Sequence, residues 1–279
     1  MEHRCGKKHF EKTEIVSHEY AGADCYCLTV RLPRKMEGSD LPRAGQFYMI
    51  SLHDKSHILP RPISLHSFDE KQGTLSFVYR PIGAGTQELT QYRAGESLAI
   101  QGPLGNGFMV PSADSCHIIA GGGIGLAPLP QLIRAIRSRQ PEARIIFFAG
   151  GRNRHIQELI DFFALPADIE LILCTDDGSL GIHGFVPDVL SAYIEKHRSS
   201  GASSADIAMI YACGPTAMLN KIRAFSQSAQ LPCQLSLERR MACGVRACMG
   251  CSIQTAAGVK KVCADGPVFD SLLFPHELP

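Results

Sequence analysis

The chain has 279 residues, 45% of them hydrophobic and 20% charged, with 28 basic against 27 acidic side chains. That length accommodates two compact domains and a small appendage, with the composition of an ordinary soluble protein. Near-neutrality gives no electrostatic reason to expect nucleic acid or an acidic partner.

The polar opening MEHRCGKKHFEKTE has neither a secretory apolar region nor the character of a transit peptide. No run approaches the ~18 apolar residues of a membrane span. Eleven cysteines without an export signal point to a reducing cytoplasm, where thiols bind metals or stay free. Cys25, Cys27, Cys116, Cys174 and Cys233, set singly in apolar surroundings, read as small buried hydrophobes.

Residues 1–110 read as all-β. The runs CYCLTVRL, QFYMISL, TLSFVYR and ESLAIQG are short, β-branched and aromatic, and Gly and Pro punctuate them. Such a pattern predicts a closed antiparallel barrel. Within it, RPIS (61–64) opens a strand: Arg61 offers a planar fork for phosphate, Pro62 stiffens the backbone and Ser64 presents a hydroxyl. Further on, FVYRPIGAGT offers Tyr79 for stacking and Arg80 for charge. Gly83, Gly85 and Thr86 follow in a turn suited to phosphate. Taken alone, RPIS and this segment are each more often a β-turn with solvated arginines, and it is their order that favours the binding reading.

From residue 111 to 235 the rhythm becomes βαβ. HIIAGG, RIIFFAG, IELILCT and IAMIYACG are nearly continuous apolar runs, as expected of parallel strands covered on both faces. LAPLPQLIRAIRSRQ and IQELIDFFA carry apolar residues at helical spacing between them. The turn AGGGIGLAPL, with Gly121, Gly122, Gly123 and Gly125, lets a backbone approach a pyrophosphate at a helix start. Pro128 suits that helix's first turn. CGPTAM places Cys213, Gly214 and Pro215 at the end of what reads as the sheet's last strand, near the same crevice. Taken alone, the glycine turn is also compatible with no ligand, and Cys213 with a buried thiol. HRSSGASSAD (197–206) reads as an exposed loop.

Residues 236–279 form a cysteine-rich tail too small for its own core. Cys243, Cys248 and Cys251 stand as C-x4-C-x2-C, the opening of plant-type 2Fe-2S ligation, and Cys263 follows. Gly244 and Gly250 let the loop wrap closely, turning backbone N–H groups toward an anionic cluster. Four thiolates also satisfy structural zinc, though zinc sites more often pair two C-x2-C units.

With these residues in view, the chain resembles the ferredoxin–NADP reductase superfamily: R-P-x-S and G-x-G-T in the barrel, then GGGIGLAPL and CGPTAM. Adding LERRMACGVRACMGC and CADGPVF, it is similar over nearly its whole length to the electron-transfer subunits of class 1B dihydroorotate dehydrogenases. The resemblance implies that Arg61, Pro62, Ile63, Ser64, Val78, Tyr79, Arg80, Gly85 and Thr86 hold FAD. It implies that the glycine turn, Cys213, Gly214 and Pro215 meet NAD, with Cys213 and Ser64 beside the reacting atoms. Cys243, Cys248, Cys251 and Cys263 would ligate a 2Fe-2S cluster.

By the same resemblance the partner is a catalytic subunit carrying FMN, in a heterotetramer of two plus two, with electrons passing to NAD+ in pyrimidine biosynthesis. The chain is too short to add a (β/α)8 barrel, so the dihydroorotate site must lie elsewhere. Arg152 and Arg154, after the second strand, also fit a 2′-phosphate and leave NADP open. Arg246 departs from the small residue expected between the first two cysteines. Two alternatives stand beside this reading. One is a small subunit of a bifurcating ferredoxin:NAD(P) oxidoreductase or hydrogenase-type complex. The other is a zinc-stapled nucleotide-binding protein.

Overall fold

The computed structural model describes residues 10–33, 38–52, 58–112, 115–199 and 207–278. Most of the polar N-terminal opening, and the Ser/Gly/Ala stretch from residue 200 onward, lie outside the described residues. The first three residues of that stretch, His197 to Ser199, complete a helix instead of opening a loop.

The first layer is a seven-stranded antiparallel sheet: β1 (Glu11–Gly22), β2 (Cys25–Arg31), β3 (Phe47–Ser51), β4 (Arg61–Ser64), β5 (Ser67–Asp69), β6 (Thr74–Tyr79) and β7 (Ser97–Leu104). Its order is β4-β3-β7-β1-β2-β6-β5. The chain runs from β4 into β5 and closes the sheet there: Leu65 N–H donates to Gln46 O and His66 N–H to Ser76 O, both at 2.9 Å. Alternation divides the residues as a pleated strand requires. Tyr48 and Ile50 point into the barrel with Leu28, Val30, Leu75, Phe77 and Ile100, whereas Phe47 and Met49 face outward into a different core. The GAGT segment, expected as a turn, opens a short helix instead, α1 (Ala84–Leu89).

The second sheet contains β8 (Cys116–Gly122), β9 (Ile145–Gly151), β10 (Glu170–Thr175), β11 (Ile182–His183), β12 (Ile207–Cys213), β13 (Cys233–Ser236) and, from the tail, β16 (Val268–Asp270). Between them run α2 (Leu129–Arg139), α3 (Ile156–Phe162), α4 (Val186–Ser199) and α5 (Thr216–Ser228). The order is β11-β10-β9-β8-β12-β13-β16, parallel except at β16. Burial on both faces explains the unbroken apolar runs. Ile118, Ala120, Ile146, Phe148, Ile210 and Ala212 meet residues of α4 and α5, while Ile119, Ile145, Phe147, Ala149 and Tyr211 meet those of α2 and α3.

The apolar runs make the strand ending in Cys213 the last of its sheet, and the structure differs: β13 and β16 extend the edge beyond it. These two strands have four and three residues, too short to register as apolar runs.

The remaining elements belong to the tail: hairpin β14 (Ser252–Thr255) and β15 (Gly258–Lys261), then α6 (Val262–Asp265). Cys251, Ile253, Val262, Cys263 and Phe269 share one core with Phe47, Met49 and Leu104 of the barrel and with the parallel sheet. The tail is stabilised by burial against both larger units. No helix of the described residues is long and apolar enough to cross a membrane.

Candidate functional site

A cleft of about 1050 Å³ opens where β4, β6 and α1 of the barrel face the end of β12, the glycine turn and the stretch 236–241. Its lining includes Arg61, Pro62, Ile63, Ser64, Val78, Tyr79, Arg80, Gly85, Thr86, Gly125 and Cys213. Gly214 and Pro215 line an adjoining cavity of about 160 Å³ with Thr216 and Arg239. Gly121, Gly122 and Gly123 line neither. Gly122 packs against α5 instead, where an added methyl group would stand 2.7 Å from Met218 Sδ.

On the barrel side, the Arg61 guanidinium lies over Gly85, in the space a side chain there would fill, and donates to Leu59 O. Arg80 Nη2 donates to Ala23 O at 3.1 Å, while its Nε is buried with no hydrogen-bond partner among the described residues. Tyr79 is almost wholly buried and its hydroxyl is 3.0 Å from His18 Nε2. His18 Nδ1 meets Tyr92 O at 2.8 Å, so that nitrogen carries the proton and Nε2 accepts from Tyr79. Burial raises the Tyr79 pKa, keeping it a phenol. The Thr86 hydroxyl turns back to its own loop, donating to Gly83 O and accepting from Gly83 N–H. An arginine fork over a bare glycine, a second arginine with an unused N–H and a buried tyrosine wall suit a flavin and its phosphates.

On the opposite wall, Gly125 lies flat against the end of β12. An added methyl group would stand 2.6 Å from both Cys213 C and Gly214 Cα. The Cys213 thiol is pushed up to about 12, first by burial and then by the charge of Glu238. It is therefore a neutral thiol at physiological pH. Glu238 is accessible to solvent yet enclosed by cleft walls, and that enclosure raises its pKa. Ser236, Leu237, Glu238, Arg239, Arg240 and Met241 line the cleft, and the sequence reading assigned none of them. The signal available was the charged run LERR directly before the cysteine motif. Arg152 and Arg154 are exposed and line neither cavity.

The cysteine loop needs a glycine at Gly244 but not at Gly250, where an added methyl group would meet only Cys248 Sγ, at 3.7 Å. Gly244 takes φ +65° and Arg246 φ +68°, so even the residue out of pattern adopts the left-handed conformation. Backbone N–H groups point at sulfur: Cys248 to Cys243 Sγ at 3.3 Å, Arg246 to Cys263 Sγ and Cys263 to Cys251 Sγ, both at 3.4 Å. Hydrogen bonds from the backbone of Gly250, and then of Cys243, lower the Cys248 pKa to about 7. Burial raises Cys263 to about 12. Among the described residues no group of three or more His, Cys, Asp or Glu side chains is set to hold a single metal ion. The donor set is nonetheless that of an iron–sulfur loop: four thiols with N–H groups directed at sulfur.

Asp265, unassigned from sequence, accepts from Lys261 N–H at 2.7 Å and pairs with Arg246 at 3.4 Å, bracing the loop. The loop also docks on the barrel, where Asn106 N–H donates to Gly266 O at 2.6 Å and Asn106 Nδ2 to Asp265 O at 3.0 Å.

A cleft between barrel and parallel sheet, lined also by the stretch that leads into the cysteine loop, defines a flavin- and nicotinamide-linked reductase that carries an iron–sulfur segment. Family models agree: an oxidoreductase FAD-binding domain matches residues 12–108 and an oxidoreductase NAD-binding domain residues 119–224. The iron–sulfur cluster binding domain of dihydroorotate dehydrogenase B matches residues 238–272.

The chain belongs to the family of dihydroorotate dehydrogenase B (NAD(+)) electron transfer subunits. It is 37% identical to the one from Enterococcus faecalis, covering 82% of this chain and 86% of that one. It is 35% identical to that of Geobacillus kaustophilus, covering 93% and 96%. In fold it is similar to the NADH-dependent reduced ferredoxin-NADP oxidoreductase, a flavin-based bifurcating enzyme, at 24% identity and a TM-score of 0.74. That match covers 94% of this chain and 88% of the other. The chain is thus an NAD-linked flavin oxidoreductase subunit with FAD-binding, NAD-binding and iron–sulfur domains, and its family works with a catalytic partner subunit.

Proposed function

We propose that the cleft is the FAD site of a subunit that serves an FMN-containing dihydroorotate dehydrogenase catalytic subunit, with NAD+ as final acceptor. Arg61, Pro62, Ile63, Ser64, Val78, Tyr79, Arg80, Gly85 and Thr86 would hold FAD. Gly121, Gly122, Gly123, Gly125, Cys213, Gly214 and Pro215 would form the nicotinamide side, and Cys243, Cys248, Cys251 and Cys263 would ligate the 2Fe-2S cluster. When bound, the cluster supplies one-electron exchange, nicotinamide supplies hydride exchange, and the flavin is competent in both.

The chain's own residues then have distinct tasks. Arg61 and Arg80 would neutralise phosphate charge, Tyr79 would wall the flavin, and Ser64 would offer it a hydrogen bond. Cys213, held as a neutral thiol, would give the nicotinamide side an uncharged surface that does not compete as a nucleophile. Gly121 and Gly122 contribute from inside the turn, by close packing, and Gly123 keeps the turn tight.

One observation supports this reading above the others: residues from all three segments, 1–110, 111–235 and 236–279, line the same cleft. A two plus two assembly in the cytoplasm, with NAD preferred and NADP open through Arg152 and Arg154, completes the proposal. Anaerobic purification with its natural neighbours tests it. The expected result is yellow-brown protein carrying FAD, iron and acid-labile sulfide, co-purifying with an FMN subunit and reducing NAD+ with dihydroorotate only in that subunit's presence. A colourless zinc protein, or dihydroorotate oxidation by the isolated chain, overturns it.

A further inference from the structure

One buried side chain outside the cleft lining joins the cleft's two walls. His66 lies two residues beyond β4 and is 5% exposed. Its backbone is pinned to β6 through Ser76, and its Nδ1 is 2.7 Å from the carbonyl oxygen of Ala127. A carbonyl only accepts, so Nδ1 carries the proton. The ring is seated on Phe163 and Phe162, with centroids 5.0 and 6.5 Å away. Ala127 follows the turn Gly123–Leu126 and lines the cleft beside Gly125 and Pro128. Burial, aided by nearby Arg134, lowers the His66 pKa to about 4, so the ring is neutral at physiological pH.

This contact ties the strand bearing Arg61–Ser64 to the turn bearing Gly123–Ala127, and a buried N–H of that kind is costly to leave unpaired. We propose that His66 is a positioning residue, whose hydrogen bond to Ala127 sets the gap between the FAD-holding strand and the nicotinamide-holding turn. This rests on the functional reading above. Hydride transfer demands reacting atoms within about 3–3.5 Å, and misplacement by about 1 Å costs on the order of a hundredfold. His66→Leu keeps the bulk but removes the donor, whereas His66→Asn keeps an N–H near the place of Nδ1.

Two measurements on the full chain decide the matter. The first is amide hydrogen exchange of the purified protein, without added nucleotide. His66→Leu is expected to speed exchange across residues 123–129 about tenfold, leaving β9 and β10 unchanged, and His66→Asn to restore it. The second is stopped-flow reduction of the FAD-loaded protein by NADH, in which NADH gives up hydride to become NAD+ and the flavin takes up both electrons. The expected loss in the Leu variant is ten- to a hundredfold in the rate at saturation, with FAD and iron content unchanged, and within threefold of wild type in the Asn variant. Unchanged exchange in the Leu variant, or an Asn variant no better than Leu, overturns the assignment. If the Leu variant does not fold, His66→Ser, too short to reach Ala127, replaces it with the same expectations. Wild-type protein whose FAD is not reduced by NADH instead removes the functional reading, and the proposal with it.

Discussion

Gly244 of the cysteine loop lies directly on Met49 of the barrel: a methyl group at Gly244 would stand 2.6 Å from Met49 Cγ and 3.1 Å from its sulfur. Met49 is fully buried, and Gly244 also holds φ +65°. Gly244→Ala is therefore expected to strain the backbone and overfill the contact together, costing about 1–3 kcal/mol. Chemical denaturation should show a lower midpoint, and the anaerobically prepared variant should lose iron faster than wild type on dilution. An unchanged midpoint would show that the loop relaxes away from β3 freely.

Gly125 should be equally intolerant, for a reason on the other wall. Its neighbours are the backbone atoms of Cys213 and Gly214, which have no rotamer to change. Gly125→Ala is expected to raise the KM for NADH at least tenfold while leaving bound FAD near the wild-type level, as measured by flavin release and steady-state kinetics.

Arg80 carries a buried Nε without a hydrogen-bond partner among the described residues, beside an Nη2 already given to Ala23. Arg80→Gln removes both the charge and the fork. FAD affinity should fall about ten- to a hundredfold, in keeping with about 1.5–3 kcal/mol for a hydrogen bond to a charged group. Fluorescence titration of the stripped protein with FAD measures it.

His66 also predicts a pH dependence. Its folded-state pKa, about 4 against an ordinary 6.5, is depressed by burial. The unfolded chain therefore binds a proton that the folded chain refuses. The contribution is fully present above about pH 6.5 and is lost as pH falls toward 4, amounting to about 3 kcal/mol. Wild type and His66→Asn compared by urea denaturation from pH 7 to pH 4 should converge by about this much. Parallel curves would contradict the burial argument.

Much of this was legible in the sequence, for local reasons. The interior strands β2, β3, β6 and β7, and the parallel strands β8, β9, β10 and β12, are apolar enough to announce themselves, and RPIS, VYR and GAGT fall together because the barrel closes at β4–β5. Strand β1 was not legible: EKTEIVSHEYAG is largely polar, yet it lies between β7 and β2 and buries Thr13 and Ile15. Its strand character comes from its neighbours. Ser236 to Met241 escaped for a similar reason. The charged run LERR marks them only as a segment before the cysteines, and their place in the cleft follows from β13 pairing with a strand some thirty residues further on. His66 reads as any histidine in a β-rich segment, because its partner Ala127 is 61 residues away.

The pairing of β13 with β16 through Gln234–Asp270, Leu235–Phe269 and Ser236–Val268 bears on how the molecule is made. During synthesis the border of the parallel sheet stays open, its peptide groups unsatisfied, until residue 270 has left the ribosome. An open border of this kind invites pairing with other chains. A nascent chain halted between β13 and β16 would therefore be sticky, and the last short strand is what seals the border.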